Sequence, residues 1–181
     1  MSNRFSFLGG EQGAWRVIQM STLCGEPLSN VARVNVVNGS SDASGENQWG
    51  LQGVVSNVRY ATRDELNQLQ KTQQGLGRPE AICAALIPIK KSAQWWALAQ
   101  DERRDIMETT SRHTAIGLEY LPAIARRLHH SRDLGEPFDF ITWFEFAPEH
   151  TDAFNDLLLR LRSSAEWQYV EREVDIRLEL N

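Results

Sequence analysis

The chain of 181 residues is long enough to bury a hydrophobic core but short for two independent domains, so we expect one compact domain. Its formal net charge of −5, with 19 Lys and Arg scattered in ones and twos, argues against a nucleic-acid partner. No stretch approaches the roughly eighteen apolar residues of a membrane span, and the N-terminus lacks the apolar segment of a secretion signal. These features predict a cytoplasmic protein with no membrane partner, in which Cys24 and Cys83 are reduced packing residues.

The first half of the sequence predicts short strands and one capped helix. β-branched, aromatic and alternating apolar residues favour strands over 15–22, within 27–37 and over 50–60, with a loop rich in Gly, Ser, Asn and Asp over 38–46. Thr62 followed three residues later by Glu65 is a capping box, and it predicts a helix that ends before the glycines at 75 and 77.

Residues 81–91 form a nearly continuous apolar run, which is typical of a strand covered on both faces. Proline cannot donate a backbone hydrogen bond, so Pro88 predicts that this strand lies at a sheet edge or ends there.

The second half predicts a helical region, a hairpin, a helix and a strand. Ser92 is placed to cap the helical region, with a break near 109–111 and an end at Pro122. Strands over 124–131 and 138–146 follow, joined by a turn at 133–137. A helix over 148–162 presents one apolar face (Phe154, Leu157, Leu158, Leu161), and the last strand alternates with period two (Val174, Ile176, Leu178, Leu180).

The order strand, helix, strand therefore occurs twice. It predicts an α+β fold of two ferredoxin-like halves, roughly residues 12–91 and 124–181 with a helical linker between them, whose strands form an antiparallel β-barrel covered by helices.

Common enzyme motifs are missing from the sequence, which has no GxSxG, GxxxxGK[ST], GxGxxG after a strand, or HExxH. Hydrolase, P-loop and Rossmann functions are therefore disfavoured. Of the four histidines, His150 lies near the start of a solvated helix and is expected to be exposed without a role.

Arg126 is the most informative charged residue. Alternation along strand 124–131 places it with Ile124, Leu128 and His130 on one face and Arg127 on the other. An arginine on an apolar face needs an anion, because an unpaired buried charge is very costly. The anion is either an internal Asp or Glu or a bound ligand, and the pattern leaves both open.

Lys91 shares a strand face with Ile87 and Ile89, and Trp95 follows one helical turn later. Lys91 and Trp95 could rim a pocket for a flat acidic ligand. Alternatively, Lys90 and Lys91 mark where the strand meets water, and Trp95 is a bulky core or interface residue.

The segments IPIKKSAQWW, RHTAIGLEYLPAIARRLHHS and FDFITWFEF resemble the chlorite dismutases, a family of haem b proteins, and in particular their short branch. The resemblance runs from about residue 78 to the C-terminus. It implies that His113 is the axial ligand of the haem iron, that Glu166 contacts this histidine, and that Lys91 and Trp95 lie by the haem, with Lys91 pairing with a haem carboxylate. It also implies that Arg126 is the distal arginine, with Gln73 as its partner. The resemblance also places Trp96 near the haem and matches Trp143 to the family pattern.

By this resemblance, the expected function is conversion of chlorite to chloride and molecular oxygen, with Arg126 retaining hypochlorite until the O–O bond forms. One haem b per subunit and a homodimer are implied. Two alternatives are a related coproheme decarboxylase, whose family lacks the distal arginine, and a non-catalytic haem-binding protein.

Overall fold

Strands of the barrel account for most of the regular structure. The computed structural model describes residues 3–41, 45–55 and 60–180. Within these ranges the strands are β1 Arg4–Gly10, β2 Trp15–Cys24, β3 Arg33–Asn38, β4 Asn47–Val54, β5 Cys83–Lys91, β6 Ala125–His130, β7 Phe140–Phe146 and β8 Val170–Leu180. They close into an antiparallel barrel in the order β1-β3-β2-β8-β5-β7-β6-β4. The predicted α+β fold with an antiparallel barrel is confirmed, while the boundaries of the two halves stay a prediction.

Helices lie in the connections between the strands. The described α-helices are α1 Arg63–Thr72, α2 Ala93–Ala97, α3 Gln100–Arg104, α4 His113–Glu119 and α5 Thr151–Arg162, and a π-helix spans Asp105–Thr110. Short 3-10 helices span Arg132–Leu134, Pro148–His150 and Ala165–Tyr169. None of the helices in the described ranges combines the length and hydrophobicity that crossing a bilayer requires.

Two hydrophobic cores lie on opposite faces of the same strands. The inner core fills the barrel with large side chains such as Phe7, Leu51, Trp143 and Ile176. The outer core lies between α5 and the outward faces of β5 and β7, and it contains the predicted apolar face of α5 (Phe154, Leu157, Leu158, Leu161). Strand alternation sends successive residues to the two cores, so β5 is buried on both faces as predicted.

The expectation that Pro88 marks an edge or an end is wrong. β5 continues to Lys91 and lies between β7 and β8. Pro88 pairs with Ile141 of β7, whereas the residues paired with β8 are Leu86 and Ile89, on either side of the proline. Pro88 therefore lacks its N–H at a position where the hydrogen-bond ladder between β5 and β8 is interrupted. An interior strand tolerates a proline at such a position.

Several other elements differ from the sequence predictions in their bounds. The capping box of Thr62 and Glu65 is present, and α1 ends at Thr72. The helical region after Ser92 breaks first at Leu98, then continues as α3 and the π-helix before the predicted interruption near 109–111. β1 was not predicted. Residues 56–59 of the predicted strand and 42–44 of the predicted loop lie outside the described ranges.

Candidate functional site

A deep pocket separates the helices from one side of the barrel. Counting the space open to solvent at its mouth, it encloses about 1100 Å³. Strands β5, β6 and β7 form one wall with apolar side chains such as Ile87, Leu128 and Phe144, and α4 and α5 form the other. Ile124, Arg126, Leu128 and His130 all line the pocket, which confirms the predicted alternation along β6.

His113 and Glu166 form a hydrogen-bonded pair at the helical wall. His113 is the first residue of α4, and its Nδ1 lies 2.7 Å from Glu166 Oε2. Glu166 comes from the 3-10 helix Ala165–Tyr169 and is 3% exposed. Since Nδ1 is engaged by the carboxylate, Nε2 is the ring nitrogen left for a ligand in the pocket.

Lys91 completes this group from β5. Its Nζ lies 2.8 Å from Glu166 Oε1 and 4.4 Å from the centre of the Trp95 ring, and the residue is 5% exposed. Burial would raise the pKa of the Glu166 carboxyl, but the nearby His113 and Lys91 outweigh it and hold that pKa at about 2. Glu166 is therefore ionised. Among the described residues the partner of Lys91 is this carboxylate, and the expected pairing of Lys91 with a haem carboxylate stays a prediction.

Trp95 lies in α2, whose N-cap Ser92 accepts a hydrogen bond from the Trp95 N–H. The side chain is 1% exposed, lines the pocket and packs against Tyr60 and Tyr169. Within the described ranges its indole Nε1 is buried without a hydrogen-bond partner. A buried donor without a partner is costly, so this N–H is available to an acceptor bound in the pocket.

Arg126 faces the helical wall from β6. Among the described residues, no side chain hydrogen-bonds or ion-pairs with its guanidinium, so the internal salt bridge considered from the sequence is not formed there. Burial lowers the pKa of the guanidinium, and the charge of Glu108 acts in the opposite direction. A Cβ placed on Gly117, one turn after His113, would stand 4.0 Å from the Arg126 guanidinium. This is an ordinary van der Waals distance, so α4 and the Arg126 side chain approach each other closely at Gly117.

The other predicted residues lie outside the pocket lining. Gln73 does contact Arg126, but at the backbone of the arginine and not at its guanidinium. The Gln73 Nε2 donates a hydrogen bond to the Arg126 carbonyl oxygen at 2.6 Å. Trp143 lies in the inner core, where its Nε1 donates to Glu145. Trp96 is held by a hydrogen bond to Asp139. His150 is partly exposed beside Glu149.

The arrangement is thus one imidazole backed by a carboxylate, facing one arginine across an apolar gap. A profile of the chlorite dismutase family matches residues 33–178, which include all of these groups. The chain belongs to the chlorite dismutase family.

Relatives support this assignment. The chain is 36% identical over 121 residues to the chlorite dismutase of Ideonella dechloratans, a match that covers 66% of this chain and 40% of that protein. The chain therefore spans about 40% of the length of this curated relative. A dimeric chlorite dismutase from Nitrobacter winogradskyi is 52% identical, with a TM-score of 0.91 over 97% of this chain and 99% of that one. A mutant chlorite dismutase from Candidatus Nitrospira defluvii, 20% identical, has the same fold, with a TM-score of 0.66 over 100% of this chain and 92% of that one.

Sequence reasoning missed two residues that hold the site of this chlorite dismutase family member together. Ser111 accepts a hydrogen bond from the Glu166 N–H, and Glu108 binds the start of α4 at Thr114. Both contacts depend on how the π-helix Asp105–Thr110 joins α4, and no sequence pattern available for a π-helix predicts that junction.

Proposed function

We propose that this chlorite dismutase family member is a haem b enzyme that converts chlorite to chloride and molecular oxygen. The observation that carries the proposal is the placement of His113, backed by Glu166, opposite Arg126 in the same apolar pocket, where the guanidinium has no side-chain partner among the described residues. Histidine is a common protein ligand of haem iron, a carboxylate that accepts its other ring N–H strengthens it as a donor, and a guanidinium is suited to a small anion.

The residues of the pocket fit a haem group. Apolar side chains form both walls, as a flat macrocycle requires. The Trp95 N–H, which has no acceptor among the described residues, is placed to donate to a haem carboxylate. We assign His113 Nε2 as the axial ligand, with one haem b per subunit.

Glu166 and Lys91 set the electron density of the imidazole. By accepting the Nδ1 proton in a hydrogen bond, ionised Glu166 fixes the tautomer and strengthens Nε2 as a donor. Lys91 partly neutralises the same carboxylate, so it limits this effect. When bound, haem would supply a redox-active iron held by His113, which could exchange electrons with the chlorite anion.

Arg126 acts on the substrate side. Its guanidinium stays charged at any working pH, although burial lowers its pKa, so it attracts the chlorite anion. We propose that it then holds hypochlorite in the pocket until the second oxygen atom is joined to the first. Chlorite then yields one chloride and one O₂ without an external reductant.

Two further features belong to this proposal. Because the Nitrobacter winogradskyi relative is described as dimeric, we propose that this chain forms a homodimer. Sedimentation equilibrium should give twice the 20.6 kDa of one chain, and a single-chain mass would contradict the dimer. The cytoplasmic location stays a prediction.

The proposal is tested by adding haem and then chlorite to the purified chain. We expect a five-coordinate, histidine-ligated spectrum that His113→Ala abolishes, and O₂ at an electrode when chlorite is added. Arg126→Ala should lower the O₂ formed before the haem bleaches by roughly tenfold or more, because one charge-stabilising donor is lost. Arg63→Ala, which removes an exposed arginine of α1, should match the parent protein.

Each alternative has its own outcome in this experiment. No haem binding would overturn the proposal, and haem binding without O₂ would favour a non-catalytic haem protein. Decarboxylation of added coproheme without O₂ from chlorite would favour the decarboxylase. If Arg126→Ala matches the parent protein in both O₂ yield and haem survival, Arg126 does not retain hypochlorite.

A further inference from the structure

A three-residue segment, Ser111 to His113, contacts Glu166 at two separate points. Ser111 Oγ accepts a hydrogen bond from the Glu166 backbone N–H at 2.9 Å, and His113 Nδ1 lies 2.7 Å from Glu166 Oε2. Ser111 is 6% exposed and Glu166 is 3% exposed, so water does not readily replace either contact. One bond fixes the backbone of Glu166 and the other fixes its carboxylate.

The backbone between these two contacts is unusual. Arg112 has φ 54° and ψ 36°, a left-handed conformation that residues with a side chain adopt infrequently. This residue lies where the π-helix Asp105–Thr110 gives way to α4. Because Arg112 is left-handed, the chain changes direction between Ser111 and His113. The side chains of Ser111 and His113 both contact Glu166.

Ser111 is itself held in place by the π-helix. Its N–H bonds to the Ile106 carbonyl oxygen, and the Arg112 N–H bonds to the Glu108 carbonyl oxygen. The Glu108 carboxylate also accepts hydrogen bonds from the Thr114 N–H at 3.0 Å and from Thr114 Oγ1 at 2.6 Å. The residues on both sides of His113 are therefore anchored to the π-helix.

We propose that Ser111 is a positioning residue that holds Glu166 in hydrogen-bonding register with His113. It acts through Glu166 and touches neither iron nor substrate. The inference rests on the proposed function, because the hydrogen bond between Glu166 and His113 matters for the strength with which the imidazole would bind iron. Without the Ser111 oxygen, the Glu166 N–H loses its acceptor, and the 3-10 helix Ala165–Tyr169 can shift relative to His113.

Two measurements on Ser111→Ala test this role. In the apoprotein, hydrogen exchange followed by NMR should show the Glu166 amide exchanging roughly tenfold faster or more, as expected for a buried donor that loses its acceptor. In the haem-loaded ferrous protein, the iron–histidine stretching frequency in resonance Raman should fall, because a displaced Glu166 accepts a weaker bond from His113.

Ser163→Ala is the matched control. Ser163 Oγ hydrogen-bonds the Leu159 carbonyl oxygen at the end of α5, so this variant also loses a serine hydroxyl contact, but at an exposed site. It should leave both readouts unchanged. If Ser111→Ala does not fold, Ser111→Cys keeps the side-chain size and replaces oxygen by a weakly accepting sulfur, and it should move both readouts in the same direction.

If the Glu166 amide exchanges at the parental rate in the variant that folds, Ser111 does not accept the Glu166 N–H as proposed. If the iron–histidine stretching frequency is unchanged, Ser111 does not position Glu166 against His113. If the parent protein fails to bind haem, the proposed function fails. The amide exchange of the apoprotein then still decides whether Ser111 holds Glu166.

Discussion

Lys90 and Lys91 are adjacent in β5 but have opposite environments. Lys91 is 5% exposed and bonds to buried Glu166, whereas the Lys90 side chain is 45% exposed and pairs with Glu171 at 2.9 Å. Breaking a buried ion pair leaves an uncompensated charge, while an exposed pair contributes little.

The same substitution at the two lysines should therefore have very different effects. We expect Lys91→Met to lower the free energy of unfolding of the apoprotein by about 3 kcal/mol and Lys90→Met by less than about 1 kcal/mol, as measured by urea unfolding. Similar small losses for both variants would show that the Lys91–Glu166 pair does not contribute as its burial suggests.

His129 gives a prediction about pH. It is fully buried beside Arg127, and its Nδ1 lies 2.9 Å from the Ile141 carbonyl oxygen. Burial lowers the pKa of this imidazole from 6.5 to about 4, and the nearby charge of Arg127 also lowers it. Below pH 6.5 the unfolded chain binds a proton that the folded chain does not, so stability is complete above that pH and falls toward pH 4.

The expected loss from this histidine is about 3 kcal/mol over that pH range. Urea unfolding at several pH values should therefore show a weaker pH dependence for His129→Gln than for the parent protein. His150→Gln, at a partly exposed histidine, should keep the parental pH dependence. An identical pH dependence for the parent protein and His129→Gln would contradict a neutral buried His129.

At the scale of the element, β6 directs two adjacent arginines to opposite sides of the barrel wall. Arg126 lines the pocket without a protein partner among the described residues. Arg127 instead donates to His129 at 3.0 Å and lies 3.7 Å from the centre of the Phe5 ring. We therefore assign Arg126 to ligand binding only as part of the proposed function, whereas Arg127 makes contacts within the fold.

Alanine at the two positions should separate these roles. Arg127→Ala should lower the free energy of unfolding by about 2 kcal/mol, since a charged hydrogen bond and a cation–π contact are lost. Arg126→Ala should leave the stability of the apoprotein unchanged or raise it, because a desolvated charge without a partner is removed. Urea unfolding checks both, and a larger loss for Arg126→Ala would be inconsistent with these assignments.

The elements that the sequence predicted best are those with a clear period. The two-residue alternation of β6 selected Arg126 over Arg127, and the three- and four-residue spacing of apolar residues located α5. β1 was missed because Arg4–Gly10 ends in two glycines and its apolar residues do not alternate strictly with polar ones. Gly9 is required there because a Cβ would clash with the ring of Trp49, a contact between distant segments.

Parts of the site could not be predicted because they depend on contacts far apart in sequence. Strand alternation places Lys91 on the face of Ile87 and Ile89, but it does not identify the partner of this lysine, because the contact of Lys91 with Glu166 spans 75 positions. Gln73 was expected to act on Arg126, but only the folded chain shows that it binds the backbone carbonyl of that residue.

At the scale of the whole molecule, the barrel wall separates a closed core from an open pocket. β5 and β7 give one face to the packed interior, where His129 of β6 also packs against Phe7, and all three strands give the other face to the pocket. The rigid interior therefore fixes the strand that carries Arg126, while the helical side carries His113 and Glu166. The two sides are joined by the Lys91–Glu166 pair and by the outer core, and they enclose the pocket in which we propose that the chemistry takes place.

The central claim is that both oxygen atoms of the released O₂ come from one chlorite ion that is kept in this pocket. The haem-loaded protein should be given chlorite labelled with ¹⁸O in ordinary water, and the O₂ analysed by mass spectrometry. We predict that the O₂ is predominantly doubly labelled, and that Arg126→Ala produces less O₂ with more of the label lost to water. Absence of O₂, or O₂ carrying mostly one labelled atom from the parent protein, would contradict the account.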